Sequence, residues 1–218
     1  MAPGEPEGCL SVPGLGYTVT DVTQGTDPDN YTTADCDLIY ISQSVASATP
    51  KVHPDDPVPL IMTEQALYND DVAARSEMFF SDNNAAVNEI HAMQITNNTH
   101  PITQIFPVGN LEIHQDSALV EQLGTMTGAL GPAVVPLAVN PNNNAQVCLA
   151  VVEAGVTGLR PLAPAGYEPT PARRVCLGYH QDFFNQNLTA NGVYLLQRVV
   201  QWAIGDPVTA GGSGVSDW

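Results

Sequence analysis

Polar side chains that could do chemistry follow three strand-like runs of the chain. Ser42 and Ser44 come after one apolar run, and Glu64 ends the next. His180 follows the last run. In open parallel sheets the carboxyl ends of the strands meet at one edge, where ligands bind. A hydroxyl, a carboxylate and an imidazole at that edge are what a hydrolase of carbohydrates or esters needs.

The same residues also have a structural interpretation. Serines such as Ser42 and Ser44 commonly cap the next helix or turn. A carboxylate such as Glu64 is stabilised beside a helix N-terminus, and His180 is then a loop residue. The sequence contains no GxSxG elbow, phosphate-binding loop or HExxH motif, so it assigns no catalytic residue and predicts no cofactor.

The disulfide candidates are Cys9, Cys36, Cys148 and Cys176. Cys148 and Cys176 each lie inside a strand-like run, so they either bridge neighbouring strands or remain buried free thiols. Cys9 and Cys36 could tie down the N-terminal segment. None of the four has the spacing of a zinc site.

Calcium is a further candidate ligand, at the loop of residues 27–37. Asp27, Asp29 and Asp35 supply oxygen donors there, although their pattern resembles turn chemistry more than a metal loop. We expect no metal site, and a calcium-dependent binding domain is the third functional hypothesis.

Several solid apolar runs predict strands that are buried on both faces, as in a parallel sheet covered by helices. The predicted strands are residues 17–22, 38–42, 58–63, 89–96, 111–114, 134–139, 147–152 and 174–179. Residues 86–140 are rich in strand patterns and in Asn, which favours an antiparallel extension of the sheet.

Three helices are predicted between and after these strands, over residues 65–79, from Asp116 to Gly124, and after Thr189. Thr189 is a suitable N-cap, and Gly205 a suitable stop, for the last of them. We therefore expect an α/β fold, a three-layer flavodoxin-like sandwich with a mostly parallel sheet. Residues 1–15 form an irregular arm, residues 16–205 a single domain, and residues 206–218 a flexible tail.

The charge balance excludes some partners. The chain has 6 basic and 23 acidic residues among its 218, for a formal net charge of -17. Nucleic acids and anionic membrane surfaces are bound by clustered Lys and Arg, and the only adjacent basic pair is Arg173 and Arg174. No apolar stretch is long enough to span a membrane. The acids are dispersed, which is typical of a soluble, self-repelling surface.

Five segments, in this order, resemble secreted bacterial domains related to the ThuA-like and class I glutamine-amidotransferase-like superfamily. They are residues 36–45 (CDLIYISQSV), 57–64 (PVPLIMTE), 99–102 (THPI), 171–175 (PARRV) and 187–205, with NLTANG and VQWAIG at its two ends. The resemblance covers residues 16–205. The relatives begin with an additional apolar strand and helix, for which residues 1–15 offer no counterpart. We therefore expect the N-terminal strand to be missing here, because the domain is remodelled, because the chain is cut, or because another chain supplies the strand.

The resemblance implies a flavodoxin-like fold and export from the cell. The amidotransferase relatives use a cysteine at a sharp elbow, whereas Cys148 and Cys176 lie within strands, which argues against that chemistry. The ThuA relatives suggest carbohydrate as a ligand. The favoured hypothesis is an exported, extracellular or cell-surface module without catalytic activity that assembles with itself or with another exported protein. Three glycosylation-type motifs, at Asn30, Asn97 and Asn187, have little meaning in a bacterial chain.

Overall fold

The computed structural model describes residues 36–43, 56–69, 78–115, 122–159, 168–179 and 188–208. These residues form nine strands, one short 3-10 helix and one α-helix. In chain order the strands are β1 (Ile39–Ile41), β2 (Leu60–Met62), β3 (Ser81–Asn88), β4 (Ala92–Ile95), β5 (Gly109–Glu112), β6 (Gln122–Leu130), β7 (Val135–Asn140), β8 (Asn143–Val152) and β9 (Arg174–Leu177). The 3-10 helix is Gln65–Leu67, and helix α1 is Ala190–Ile204.

The chain is an α/β protein with a mixed sheet. Its main path runs β1-β2-β9-β8-β7-β4-β5, and β6 joins β3 to β8. Only β1, β2 and β9 pair in parallel among the described strands. The expectation of a mostly parallel sheet is therefore wrong, while the antiparallel extension is present. The β7–β8 pair has a local cause, because strands joined by a tight turn can pair only antiparallel.

The long strand β8 joins the parallel and antiparallel parts of the sheet. Its second half pairs with β9, and its first half pairs with β6 at Met126 and Val147. Where β9 ends and β6 begins, the Gly124 amide donates to the Gly178 carbonyl at 3.0 Å. A Cβ atom at Gly178 would lie 2.2 Å from the Gly124 carbonyl oxygen. Only glycine fits where these strands converge.

Two apolar clusters lie on the two faces of the sheet. Helix α1 covers one cluster, contributing Leu195, Leu196 and Val199. The other cluster contains the 3-10 helix residue Leu67 and the segment of residues 78–80. Cys148 belongs to the cluster beneath α1 and Cys176 to the opposite one. Both are free thiols, because the sheet separates them.

Helix α1 begins and ends as its sequence predicts. The Thr189 hydroxyl accepts from the Gly192 amide at 3.0 Å, which satisfies one of the unpaired donors of the first turn. Gly205 has a φ of 85° and terminates the helix in the left-handed conformation. Both ends are set by local chemistry, and the prediction is confirmed there.

Other elements differ from the prediction. The helix predicted over residues 65–79 begins at Gln65 as expected, but among its described residues only Gln65–Leu67 is helical, as a 3-10 turn, and Phe79 has a φ of 55°. The helix predicted to end at Gly124 is wrong at that end, because Gly124 lies in β6. Strands β3 and β6 were not predicted, because their Asn, Gly, Ala and Thr residues lack the β-branched and aromatic character of a typical strand. The strand predicted over residues 17–22, and the proposed absence of an N-terminal strand, lie outside the described residues.

Candidate functional site

Three parallel strands bring their carboxyl ends to one edge of the sheet. β2 lies between β1 and β9, and all three run in the same direction. Ser42 follows β1, Glu64 follows β2 after Thr63, and residues 178–179 follow β9. The topology therefore places the strand ends that carry the predicted polar residues side by side, as the sequence indicates.

Thr63 joins the ends of β1 and β2. Its amide and its hydroxyl both donate to the Ile41 carbonyl, each at 2.9 Å. The Tyr40 hydroxyl in turn donates to Thr63 Oγ1 at 3.4 Å. Burial raises the pKa of Tyr40, so this phenol stays neutral. The hydroxyl of Thr63 is thus used to hold two strands together.

Glu64 caps the 3-10 helix that follows β2. Its carboxylate accepts from the Ala66 amide at 3.0 Å, and the residue is only 5% exposed. Burial raises the pKa of Glu64 to about 7, and the Ala66 hydrogen bond offsets part of that effect. A buried carboxyl group with a pKa near neutrality can act as a general acid or base. It is the one predicted site residue with this property among the described residues.

A hydrogen bond between two glutamines joins the residues that follow β1 and β2. Gln43 follows Ser42 at the end of β1, and its side-chain amide donates to Gln65 Oε1 at 2.5 Å. Both residues are half-buried. The polar groups at this edge therefore bind one another and the backbone.

Tyr68 joins the segment after β2 to strand β9. It is fully buried, and its hydroxyl donates to the Leu177 carbonyl of β9 at 2.8 Å. Burial raises the pKa of Tyr68 well above its ordinary value, and nearby Cys176 and Glu64 raise it further. Sequence reasoning missed Tyr68, because a tyrosine inside an expected helix carries no signal that its hydroxyl reaches another strand.

The two thiols inside the sheet are not activated. Burial raises the pKa of Cys148 and raises that of Cys176 well above the ordinary value of a thiol. A thiol must ionise to act as a nucleophile, and burial in apolar surroundings prevents that. Neither cysteine has the electropositive, partly exposed environment of a catalytic residue.

Several predicted site residues fall outside the described residues. These are Ser44, His180, the calcium candidates Asp27, Asp29 and Asp35, and Cys9. Ser42 and Cys36 are described and are half-buried. Within the described ranges no three His, Cys, Asp or Glu side chains are grouped to hold a metal ion.

A second concave feature lies at the far end of the sheet. It is an open depression of about 200 Å³ between the start of β4, strand β5 and the β7–β8 turn. Its polar lining includes Glu89, His91, Asn110, Glu112 and Asn142. Glu89 has a φ of 59°, which positions the turn between β3 and β4. The depression is remote in the sheet order from the ends of β1, β2 and β9.

Comparison of the chain with protein-family models, with curated proteins and with solved structures found no match. No helix of the described residues combines the length and the apolar character needed to cross a membrane. A functional interpretation therefore depends on the geometry of the chain itself.

Proposed function

We propose that the chain is an exported, non-catalytic module that assembles with itself or with another exported protein. One observation carries this proposal. At the edge where an α/β enzyme keeps its reactive groups, the side chains of Thr63, Glu64 and Gln65 are engaged in capping and in joining strands. Such contacts stabilise a fold.

The cysteines support the same proposal. The ThuA-like and amidotransferase-like resemblance suggests a flavodoxin-like core, which we propose for β1, β2, β9 and α1, with a three-layer arrangement. The amidotransferase members of that superfamily work through an activated cysteine. Cys148 and Cys176 are buried with raised pKa values. This favours a protein that keeps the fold of the superfamily but does not use the cysteine chemistry of its amidotransferase members.

The contacts of the described arginines indicate a surface that is acidic and poor in cations. All three described arginines make contacts within the chain. Arg198 is fully buried, and Arg174 is 2% exposed. Arg173 pairs with Glu153 at 3.0 Å and lies 4.7 Å from the Trp202 ring centre. This leaves little positive charge for nucleic acid or anionic lipid, and it favours protein or carbohydrate partners in an extracellular medium.

Strand β3 is the surface that we propose for self-contact. Residues 83–88 pair with β6, and the described residues supply no second strand along their other edge. These six residues, NNAAVN, carry no charge in a chain of net charge -17. An uncharged edge strand is a template for pairing with another strand. Within this run, two acidic copies bring no like charges against each other.

Sedimentation of the intact chain over a range of concentrations tests the proposal. A self-assembling module forms oligomers whose proportion rises with concentration and with ionic strength, because salt screens the acidic surfaces. A chain that stays monomeric at every concentration and ionic strength, and binds no other exported protein, would contradict the proposal.

A hydrolase of carbohydrates or esters is the second candidate, and the pKa of Glu64 near 7 favours it. In that case Glu64 acts as the general acid or base, with Ser42 or Ser44 and His180 beside it. The test is a panel of chromogenic esters and glycosides, with Glu64→Gln as the matched variant. Turnover that Glu64→Gln lowers by a factor of about 100 or more would support this candidate. Turnover that is absent, or unchanged in the variant, would eliminate it.

A further inference from the structure

We propose that His100 forms a pH-sensitive contact, which holds the turn at residues 101–105 against helix α1 while its imidazole is neutral and loosens that turn when the imidazole is protonated. His100 is half-buried and begins the turn. Its carbonyl accepts from the amides of Thr103 and Gln104, at 2.9 and 2.8 Å. The inference depends neither on export of the chain nor on its assembly.

The imidazole of His100 is a hydrogen-bond acceptor within the turn. The Ile102 amide donates to His100 Nδ1 at 3.2 Å, so Nδ1 carries no proton and the ring is neutral. In an imidazolium both ring nitrogens are donors. Protonation of Nδ1 therefore sets two donors against each other, and the amide of Ile102 loses its acceptor.

The same ring contacts helix α1 through Trp202. The ring centres of His100 and Trp202 lie 5.1 Å apart, edge to face at 62°. The Arg173 guanidinium lies 4.7 Å from the centre of the Trp202 ring, and it donates to the Trp202 carbonyl at 2.5 Å. Protonation of His100 thus adds a second positive charge around an indole that already contacts one.

Three charged side chains, from two elements, face His100 and its turn. Glu153 follows β8 and favours the imidazolium, whereas Arg173 precedes β9 and opposes it. On α1, Arg198 donates to the carbonyls of the two residues after His100. Burial has the largest effect, and it lowers the pKa of His100 below its ordinary value of 6.5.

The direction of the pH dependence follows from that lowered pKa. The folded chain binds the His100 proton less readily than the unfolded chain does. The stability that the contact contributes is therefore complete above pH 6.5, and it is lost as the pH falls through the lower pKa of the folded state.

The turn has a second attachment that does not titrate. The guanidinium of Arg198 stays charged at every relevant pH, so protonation of His100 removes one of two attachments and the turn opens more often. Ile102 is fully buried, and Phe106, just after the turn, is 5% exposed and packs on Tyr194 at 5.9 Å between ring centres. Opening of the turn in acid therefore uncovers apolar surface beside α1.

Amide hydrogen exchange of the intact chain, followed by NMR from about pH 7.5 to about pH 5, tests the proposal. The Ile102 amide reports the contact, and the protonation of His100 is read from its ring resonances. The Asn142 amide is the internal control, because it donates at 2.9 Å to Asn140 Oδ1, an acceptor two residues earlier that does not titrate. Global stability would not isolate the contact, since Glu64 changes it in the opposite direction over this range.

We expect the protection of the Ile102 amide, corrected for its intrinsic exchange rate, to fall about threefold to tenfold as His100 is protonated, as for the loss of one hydrogen bond. The protection of Asn142 should stay constant. His100→Asn is the matched variant, because its side-chain oxygen can accept from the same amide but does not titrate. In this variant the protection of Ile102 should not depend on pH.

Three results would overturn the proposal. The first is constant protection of the Ile102 amide in the wild type after His100 has been protonated. The second is a parallel loss of protection in wild type and in a folded His100→Asn. The third is an imidazole that stays neutral until the whole chain unfolds. The wild-type comparison of Ile102 with Asn142 remains decisive if the variant does not fold.

Discussion

The guanidinium of Arg198, on helix α1, donates from Nε to the carbonyl oxygen of Ile102 at 2.7 Å. It also donates to the carbonyl of Pro101. Arg198 is fully buried and lies in the middle of the apolar face of α1. A cation in that position is stable only when its donors are satisfied. The contact therefore fastens the turn at residues 101–105 to the closing helix.

Replacement of Arg198 should be costly. Arg198→Met keeps most of the volume but leaves the buried Ile102 carbonyl and the part-buried Pro101 carbonyl without these donors, and an unsatisfied buried acceptor costs about 1–3 kcal/mol. We expect a loss of about 2–4 kcal/mol in the free energy of unfolding, measured by urea denaturation. Gln197→Met, one residue earlier and half-buried, serves as the control. Equal stability of the two variants would show that the Arg198 contacts contribute nothing.

Glu64 should make stability depend on pH near neutrality. Its pKa rises from 4.5 to about 7 on folding, so the folded chain binds more protons than the unfolded chain between these values. The stability that this group contributes is present below pH 4.5 and is lost as the pH rises towards 7. Glu64→Gln removes that loss and should gain about 1–2 kcal/mol at pH 8, after allowance for screening.

The control for Glu64 is Glu112→Gln, which removes an exposed carboxylate of the same charge. Urea unfolding at several pH values distinguishes the two variants. If Glu64→Gln and wild type lose stability in parallel between pH 4.5 and 7, the burial of Glu64 does not govern the pH dependence.

The thiols of Cys148 and Cys176 should be inert in the folded chain. Both are buried with raised pKa values, and they lie on opposite faces of the sheet. Iodoacetamide should leave both unlabelled under native conditions and label both in denaturant, as mass spectrometry of the peptides will show. A non-reducing digest that links the two peptides through a disulfide is the contrary result.

Gly178 should tolerate no side chain. Gly178→Ala places a methyl group 2.2 Å from the Gly124 carbonyl oxygen, and backbone on two strands must move to admit it. We expect a loss of about 3 kcal/mol or more in unfolding free energy. Gly155→Ala is the matched control, since no atom lies within 4 Å and only its φ of 76° is strained, at about 1 kcal/mol. Equal losses would mean that β6 and β9 do not converge at Gly178.

Part of the fold can be predicted from the sequence, because residues close together in the chain determine it. The ends of α1 follow from the Thr189 hydroxyl and from glycine at position 205. The parallel strands follow from apolar runs such as Leu60–Met62, which is buried throughout. Strands β3 and β6 depend instead on each other, since neither has a hydrophobic pattern that marks it as a strand.

The candidate site, too, can be predicted from the sequence only in part. The sequence predicts that Ser42 and Glu64 lie at neighbouring strand ends. Each follows an apolar run, and parallel strands end at the same edge of a sheet. It does not reveal that Tyr68 reaches Leu177 or that Gln43 reaches Gln65. Those contacts depend on the register of β1, β2 and β9, which non-local packing sets.

The most direct test of the proposed assembly compares two opposite charges at one position of β3. Ala86 is exposed, in the middle of the uncharged run. Sedimentation of Ala86→Glu and Ala86→Lys should show that both weaken self-association by about tenfold or more, because either charge must be desolvated at a strand contact. Val108→Glu, distant in the sheet order, should leave it nearly unchanged. If Ala86→Lys strengthens association while both glutamate variants weaken it equally, net charge alone governs, and the proposed β3 contact is wrong.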